Sequence, residues 1–413
     1  MEGALGVGLM VWIVYTLSES RDKIRWRSVY TGIGLQLLLA LFFLKVPAIS
    51  NSLLALNHII YAIESATITG ASFVFGYLGG GNAPFEILPG SSLYIFGFRV
   101  LPQILVFSAL VAVLWHWTIL PRFIDALGSI LQKILKVSGA LGAGSAATIF
   151  LGLVESPLVI RGYLSRLSRS DLFVLMVCSM STVAGSVMIL YANILIDILP
   201  GALGHVLAAS ILNVIGAIIL ARILIPSEGS VLMTGKEASS LGYSNTMDAI
   251  TQGTSDGLRL VLNIAAMLIV LISLVALVNQ MLSIISWDNQ PLTLQRIAGW
   301  LFAPIAWLIG IPWAESVVAG SLLGSKLILN ELVAFIDLAA IEGNQLSDTS
   351  RIVMTYALCG FANFGSLGIL LGGYTILLPD RKREVLDLGI KTLALSTLVN
   401  FNTGAIVSLV LFA

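Results

Sequence analysis

Eight stretches of this chain are long and apolar enough to cross a lipid bilayer, and that constrains its fold more than any single motif does. They run at about 3–19, 28–47, 93–117, 170–195, 206–226, 259–283, 350–378 and 389–412. A helix needs about 20 mostly apolar residues to span the hydrocarbon. The chain is 57% hydrophobic and only 11% charged, against about 25% charged in soluble domains, so no water-filled surroundings could accommodate its side chains. Lys+Arg equals Asp+Glu, and no basic patch interleaved with aromatics occurs; nucleic acid is not an expected partner.

Two further apolar stretches, about 125–166 and 296–345, are long, broken by Gly, Pro and small residues, and each carries an acid: Glu155 in the first, Glu331 in the second. A charge near a bilayer centre costs about 2.5–3.5 kcal/mol on insertion scales and usually faces the protein interior or an aqueous path. Broken backbone at that depth is tolerated only where protein or a water-filled cavity surrounds it. Both stretches therefore read as re-entrant hairpins.

Basic residues set the orientation. Arg21, Lys23, Arg25 and Arg27 follow the first span, Arg161, Arg166 and Arg169 the first hairpin, and Arg381, Lys382, Arg383 and Lys391 lie between the last two spans. The positive-inside rule makes these loops cytoplasmic and leaves both termini outside, with Arg296 and Lys326 as exceptions on the outer half. The order hairpin–span–span then occurs twice with opposite orientation, the inverted-repeat plan in which helix breaks mark the binding site. The expected class is an all-α polytopic membrane protein of about eight spans plus two re-entrant hairpins, with interfacial helices. Its parts are 1–124, N-terminal spans and interfacial helices forming a scaffold; 125–226, first hairpin and repeat; 227–295, an amphipathic linker helix and a scaffold span; and 296–413, second hairpin and repeat.

The first segment has no basic residues before its apolar run, the wrong polarity for a cleaved signal. Residues 52–80 read as an interfacial helix with a glycine-rich turn. Gly142-Ala-Gly144-Ser-Ala-Ala147 mimics a dinucleotide fingerprint but follows no strand, so helix packing is the better reading. Cys178 and Cys359 lie in apolar surroundings as small hydrophobes, and His58, His116 and His205 are scattered.

Chemistry concentrates at the breaks. At Gly152-Leu153-Val154-Glu155-Ser156-Pro157 a second half-helix begins, so its positive end faces Glu155. That acid either binds substrate or ion, or pairs locally, for instance with Arg161. At the second tip, Lys326 and Asn330 share a face beside Glu331. A Lys–Glu structural cluster would explain Lys326; adjacent Asn330 and Glu331 suggest hydrogen bonding to a hydroxylated ligand. Glu315 either pairs with Lys326 or sits at the outer mouth. Asn363 and Ser366, three apart in FANFGSLG and so expected on one helix face, satisfy one another or a ligand; Phe361 and Phe364 stack on a flat ring or simply pack.

Together PLVIRGYL, STVAGSV, MDAITQGTSDGLRLVLNIAAMLI, GSKLILNELVAF and FANFGSLG make the chain resemble the concentrative nucleoside transporters in their shorter bacterial, nucleoside permease-like form, over nearly its whole length. The family pattern Gly/Ala-x-Lys-x-x-x-Asn-Glu-Phe-Val-Ala-aromatic is met except for Leu332. The resemblance implies a homotrimer with one site per protomer between the hairpin tips. Glu331, Asn363 and Ser366 correspond to the ribose-holding residues, with Asn330, Phe361 and Val187 beside them. Gly152, Leu153, Val154 and Glu155 correspond to the tip that faces the base. Thr148, the Leu151 carbonyl, Thr182 and the Val183 carbonyl correspond to the sodium site of sodium-coupled relatives.

Two departures stand out. Leu153 and Val154 replace a Gln and a Thr, removing groups able to read a base edge, so base selectivity is expected to weaken or change. Thr148 replaces an Asn; two hydroxyls and two carbonyls still suit a hard cation, and proton-coupled relatives also lack that Asn. The expected activity is a cation-coupled symporter, sodium favoured over protons, that imports nucleosides across the plasma (inner) membrane and needs no cofactor beyond the coupling ion. A transporter of another hydroxylated or aromatic metabolite is the alternative. A membrane-embedded hydrolase using Glu155 and Glu331 as acid and base is the reading from another class; no Gly-x-Ser-x-Gly elbow or His-Glu-x-x-His helix accompanies the acids.

Overall fold

The computed structural model describes residues 2–46, 57–86, 93, 95–227, 242–287, 290–343 and 345–412. Nearly all of this is helix: α1 (Glu2–Thr16), α2 (Trp26–Lys45), α3 (Asn57–Phe75), α4 (Phe96–Arg99), α5 (Leu101–His116), α6 (Ile119–Leu135), α7 (Gly139–Ala147), α8 (Glu155–Leu158), α9 (Arg161–Leu164), α10 (Arg169–Ser181), α11 (Gly185–Ile194), α12 (Ala202–Leu224), α13 (Thr246–Leu282), α14 (Leu294–Leu308), α15 (Ser316–Ile328), α16 (Glu331–Ala340), α17 (Asp348–Leu358), α18 (Phe364–Leu377) and α19 (Lys382–Leu411). One two-residue antiparallel pairing, Ser286 with Pro291 and Trp287 with Gln290, closes the turn after α13.

Among the described residues, six helical stretches are long and apolar enough to cross a membrane, and two shorter apolar helices, α1 and α18, accompany them. Their burial differs sharply. Some 94% of the Arg169–Ile194 stretch is enclosed by the rest of the molecule, against 6% of α13. The central helices are thus α10, α11 and α12, and α13 stands at the periphery. Of the polar linker expected at roughly Ser227 to Gly257, residues 228–241 lie outside the described residues; its later part is continuous with the apolar span in α13.

Two spans expected to be complete are broken. The 170–195 stretch is α10 and α11, separated by extended backbone at Thr182 and Ala184. The 350–378 stretch is α17 and α18, separated by extended backbone at Cys359 and Asn363. The two longer stretches also subdivide. The amphipathic helices α6 and α14 come first, followed by shorter helices on either side of each break: α7 with α8–α9, and α15 with α16. One order therefore occurs twice: amphipathic helix, short buried helix, break, half-helix, broken helix, long helix.

The carbonyls freed where the two broken helices unwind are not left bare. Asn213 of α12 donates Nδ2 to the carbonyls of Ser181 (2.9 Å) and Cys359 (2.7 Å). Asn400 of α19 donates to the same two, at 2.8 and 3.0 Å. Phe361 N–H reaches the Thr182 carbonyl at 3.2 Å. Such internal partners are what interior backbone requires. Gly360 is obligatory here, since a Cβ would come 2.4 Å from the Ser181 carbonyl oxygen.

Lys326 explains its own exception to the charge rule. It is 1% exposed and donates Nζ to the Ala357 carbonyl (2.9 Å) and to Asn400 Oδ1 (2.6 Å). Glu315 does not pair with it; Glu315 accepts from the N–H and hydroxyl of Ser347, each at 3.2 Å. The glycines at 142 and 144 serve packing: a Cβ on Gly142 would lie 2.6 Å from the Gly128 carbonyl oxygen, which brings α6 and α7 backbone to backbone.

Candidate functional site

Each hairpin tip delivers an acid from the first residue of a half-helix. At the second tip, Asn330 caps α16, its Oδ1 accepting from Val333 N–H at 2.9 Å. A cap of this kind is worth about 1 kcal/mol. It fixes where the helix starts and therefore where Glu331 sits. Glu331, 4% exposed, accepts from the Tyr191 hydroxyl on Oε1 (2.6 Å) and from Asn363 Nδ2 on Oε2 (2.8 Å). Asn363 is itself a cap, its Oδ1 accepting from Ser366 N–H at 2.8 Å. Asn363 and Ser366 thus do not share a continuous helix face; one begins the helix that holds the other, and the cap turns the Asn363 amide so that its donor faces the carboxylate.

Tyr191 was not singled out from sequence. Its ring packs on Phe335, centroids 4.7 Å apart, and only its hydroxyl reaches the site. The available signal was a polar-tipped aromatic in the otherwise apolar run GSVMILYANI.

At the first tip, Glu155 opens α8 and its Oε2 accepts from Gly152 N–H at 2.9 Å, while Ser156 N–H closes back on the Gly152 carbonyl at 3.1 Å. Part of the local alternative is realised in this turn, but among the described residues Glu155 forms no ion pair with Arg161. Val154 seats its methyls against Gly373 of α18, where a Cβ would meet them at 2.5 Å.

These groups converge. Gly152, Leu153, Val154, Glu155, Val187, Asn330, Glu331, Phe361, Asn363 and Ser366 all line one cavity of ≈ 280 Å³, near the lower end of the ~300–1,000 Å³ usual for small-ligand sites. Tyr191, Ser186 and, from α13, Asn263 and Met267 complete its wall. Asn263 carried a legible signal, a lone amide in an apolar span. The lining is polar around Glu331 and mostly apolar around Leu153, Val154, Val187 and Phe361. A carboxylate offers about four lone-pair sites; with one taken on each oxygen of Glu331, two remain for hydroxyls of a ligand.

Of the four expected cation ligands, Thr148 and Thr182 are tied to each other, the Thr182 hydroxyl on the Thr148 carbonyl. Thr148, Thr182 and Val183 are almost fully buried, and Leu151 is 4% exposed. Thr148 donates its hydroxyl proton to the Ser145 carbonyl at 2.7 Å. Thr182 donates toward the carbonyls of Thr148 (2.8 Å) and Cys178 (3.0 Å). Both hydroxyl oxygens keep lone pairs. With the carbonyls of Leu151 and Val183 they would make a neutral, all-oxygen donor set. Oxygen donors suit hard cations, and the lack of a carboxylate in the set suits a monovalent ion better than a divalent one.

Residues 205–408 match the family model described as Na+ dependent nucleoside transporter C-terminus, and residues 5–78 match its N-terminus counterpart. Residues 97–197 match a model described as Gate: Nucleoside recognition. A nucleoside permease, NupC, from Helicobacter pylori is 32% identical over 98% of this chain and 96% of its own length. The chain belongs to the concentrative nucleoside transporter family. Other family relatives include an uncharacterized transporter of Haemophilus influenzae, 35% identical over 99% of this chain and 97% of that protein. Human solute carrier family 28 member 3 is 31% identical over 97% of this chain and 58% of its own, longer length. Among solved structures, CNTnw in an inward-facing substrate-bound state matches with TM-score 0.89 at 34% identity, covering 99% of this chain and 97% of that one. A doubly substituted CNTnw in an outward-facing state matches with TM-score 0.91 at 34% identity, covering 100% and 97%. The helical fold is that of these transporters.

Proposed function

We propose that this member of the family is a cation-coupled symporter, driven by sodium, that imports nucleosides across the plasma membrane. The observation that carries the reading is the cavity in which a caged carboxylate, Glu331, faces a largely apolar wall. Ribose hydroxyls donate to the two open lone-pair sites of Glu331, with Asn363, Ser366 and Asn330 at their flank. The base lies toward Leu153, Val154, Val187 and Phe361, and Glu155 serves its polar edge. The apolar tip supports a weak demand on base identity, because few groups there would be left unpaired by the wrong base.

The cation binds at Thr148, Leu151, Thr182 and Val183 and stiffens the tip 148–154, which forms one wall of the cavity. The contacts for this coupling are short. The Thr182 hydroxyl holds the Thr148 carbonyl, Gly185 N–H holds the Phe150 carbonyl at 3.0 Å, and Phe361 N–H holds the Thr182 carbonyl at 3.2 Å. Ion and substrate thereby favour one conformation of the same loop, so each raises the other's affinity by the same factor. Hydroxyls and carbonyls do not take up protons near neutral pH, and this supports sodium over a proton at that position.

In the membrane, α7–α9 and α15–α16 act as the two re-entrant hairpins of an inverted repeat. The first 124 residues and 227–295 form the scaffold, and 125–226 with 296–413 form the transport unit. Both termini lie outside, and the protein assembles as a homotrimer, as the family resemblance implies. Radiolabelled nucleoside uptake into proteoliposomes tests the function. An inward sodium gradient should drive accumulation, and a proton gradient alone should not. Accumulation driven only by protons would overturn the coupling, and absence of nucleoside uptake under either gradient would overturn the substrate.

A further inference from the structure

We propose that a basic crevice at one end of the helices, remote from the substrate cavity, binds the headgroup of an anionic phospholipid. The chain brings three helix ends to one level there: the end of α1, the start of α2 and the end of α12. They are tied by Ser18 Oγ donating to the Ile223 carbonyl (2.6 Å) and Glu19 N–H to the Leu224 carbonyl (2.9 Å). Between α2 and α12 lies a crevice of ≈ 30 Å³ lined by Lys23, Arg25, Ser28 and Arg222 on its polar side. Its floor is apolar, from Val29, Leu135 and Ile218.

Three features define the occupant. The first is charge: Lys23, Arg25 and Arg222 line the crevice, and Asp171 is engaged by Arg222 at 3.4 Å. The second is an open donor. Arg222 directs Nη1 to the Lys136 carbonyl (3.3 Å) and Nη2 to Asp171, while its Nε is buried without a partner among the described residues. A buried donor left so is costly unless an acceptor reaches it. The third is size and level. The space admits one compact anionic group and no more, so the rest of the ligand must lie outside along the helices. On α2, Trp26 and Tyr30 stand outward at 37% and 69% exposure, their rings tilted with centroids 6.0 Å apart. Such rings mark the headgroup level of a membrane. A phosphate diester with acyl chains running along α2 satisfies all three, and basic pockets between spanning helices are known headgroup sites.

The purified protein in neutral detergent provides the test. Its melting temperature is measured with added phosphatidylglycerol, phosphatidylcholine or inorganic phosphate at matched concentration, and native mass spectrometry follows retained lipid. Phosphatidylglycerol alone should stabilise and remain bound. Each basic side chain at an anionic surface is worth about fivefold in affinity. Lys23→Gln with Arg25→Gln should therefore raise the half-effective phosphatidylglycerol concentration about 25-fold. Arg27→Gln with Lys133→Gln removes the same charge outside the crevice and should change it less than threefold. Equal losses in the two double variants would overturn the site in favour of diffuse attraction. Equal stabilisation by phosphatidylcholine would overturn the anionic headgroup, and equal stabilisation by inorganic phosphate would overturn the lipid. Should the first double variant fail to fold, the three-way comparison on the unaltered protein still decides.

Discussion

Replacing Glu331 by Gln separates what the carboxylate does for the ligand from what it does for the fold. The side chain now accepts one hydrogen bond on each oxygen, from Tyr191 and Asn363. Asn363 cannot reverse its amide, because its Oδ1 is committed to Ser366 N–H. The Gln oxygen must therefore face Asn363 and its NH₂ must face Tyr191, whose hydroxyl can turn to accept. Both internal contacts survive, but one of the two lone-pair sites left for ligand hydroxyls is lost and the other belongs to a neutral oxygen. Hydrogen bonds to charged groups are worth about 1.5–3 kcal/mol and neutral ones about 0.5–1.5. The change thus costs about 2.5–4.5 kcal/mol of binding, or about 70- to 2,000-fold in nucleoside affinity. Stability of the unliganded protein should hold or rise, since a buried charge is removed while its partners stay satisfied. Calorimetric titration of the purified variant, with a thermal melt alongside, reads both quantities. Nucleoside affinity within threefold of the parent, in a variant that melts normally, would refute the assignment of Glu331.

Other perturbations follow from the same contacts. Tyr191→Phe keeps the ring on Phe335 but removes one donor from the carboxylate; the apparent KM for nucleoside uptake should rise about five- to tenfold, less than for Glu331→Gln. Asn400→Ala strips Lys326 of one of its two acceptors and leaves the Ser181 and Cys359 carbonyls to Asn213 alone. Denaturation should show it about 1–2 kcal/mol less stable than Asn213→Ala, whose Oδ1 has no partner to lose among the described residues. Glu19 accepts from Arg169 and from Lys391 (2.6 Å), and Arg169 first, then Lys391, hold its carboxyl below the ordinary value of 4.5. A depressed carboxyl contributes stability that is complete above the unfolded value and lost as pH falls through the folded one. Glu19→Gln should therefore melt earlier than the parent at pH 7, and the gap should close below pH 4.5.

What could be read in the sequence was set by the range of each interaction. Hydropathy located the peripheral helices because α2, α5 and α13 are apolar although little of their length is enclosed by the rest of the molecule. It could not see the breaks in 170–195 and 350–378. Thr182-Val183-Ala184 is as apolar as its flanks, and the bonds that make unwinding tolerable come from Asn213 and Asn400, distant in sequence. Glu155 and Glu331 stood out because an acid in an apolar run is conspicuous on its own. Tyr191 did not, since its hydroxyl is meaningful only once α11 lies against α16. Asn330 and Asn363 were noticed as polar residues, yet the first use of each is local: a cap three residues ahead of the amide it holds, a spacing present in the sequence and readable as such.

Coupled uptake requires a cation at Thr148 and Thr182 to share one loop with a nucleoside at Glu331. Nucleoside Kd measured in sodium and in an equal concentration of choline tests that most directly, on the parent and on Thr182→Val. The parent should bind at least tenfold more tightly in sodium, sodium should bind more tightly by the same factor when nucleoside is present, and Thr182→Val should abolish the difference while retaining the affinity seen in choline. An identical Kd in the two salts for the parent protein, or an undiminished sodium effect in Thr182→Val, would contradict it.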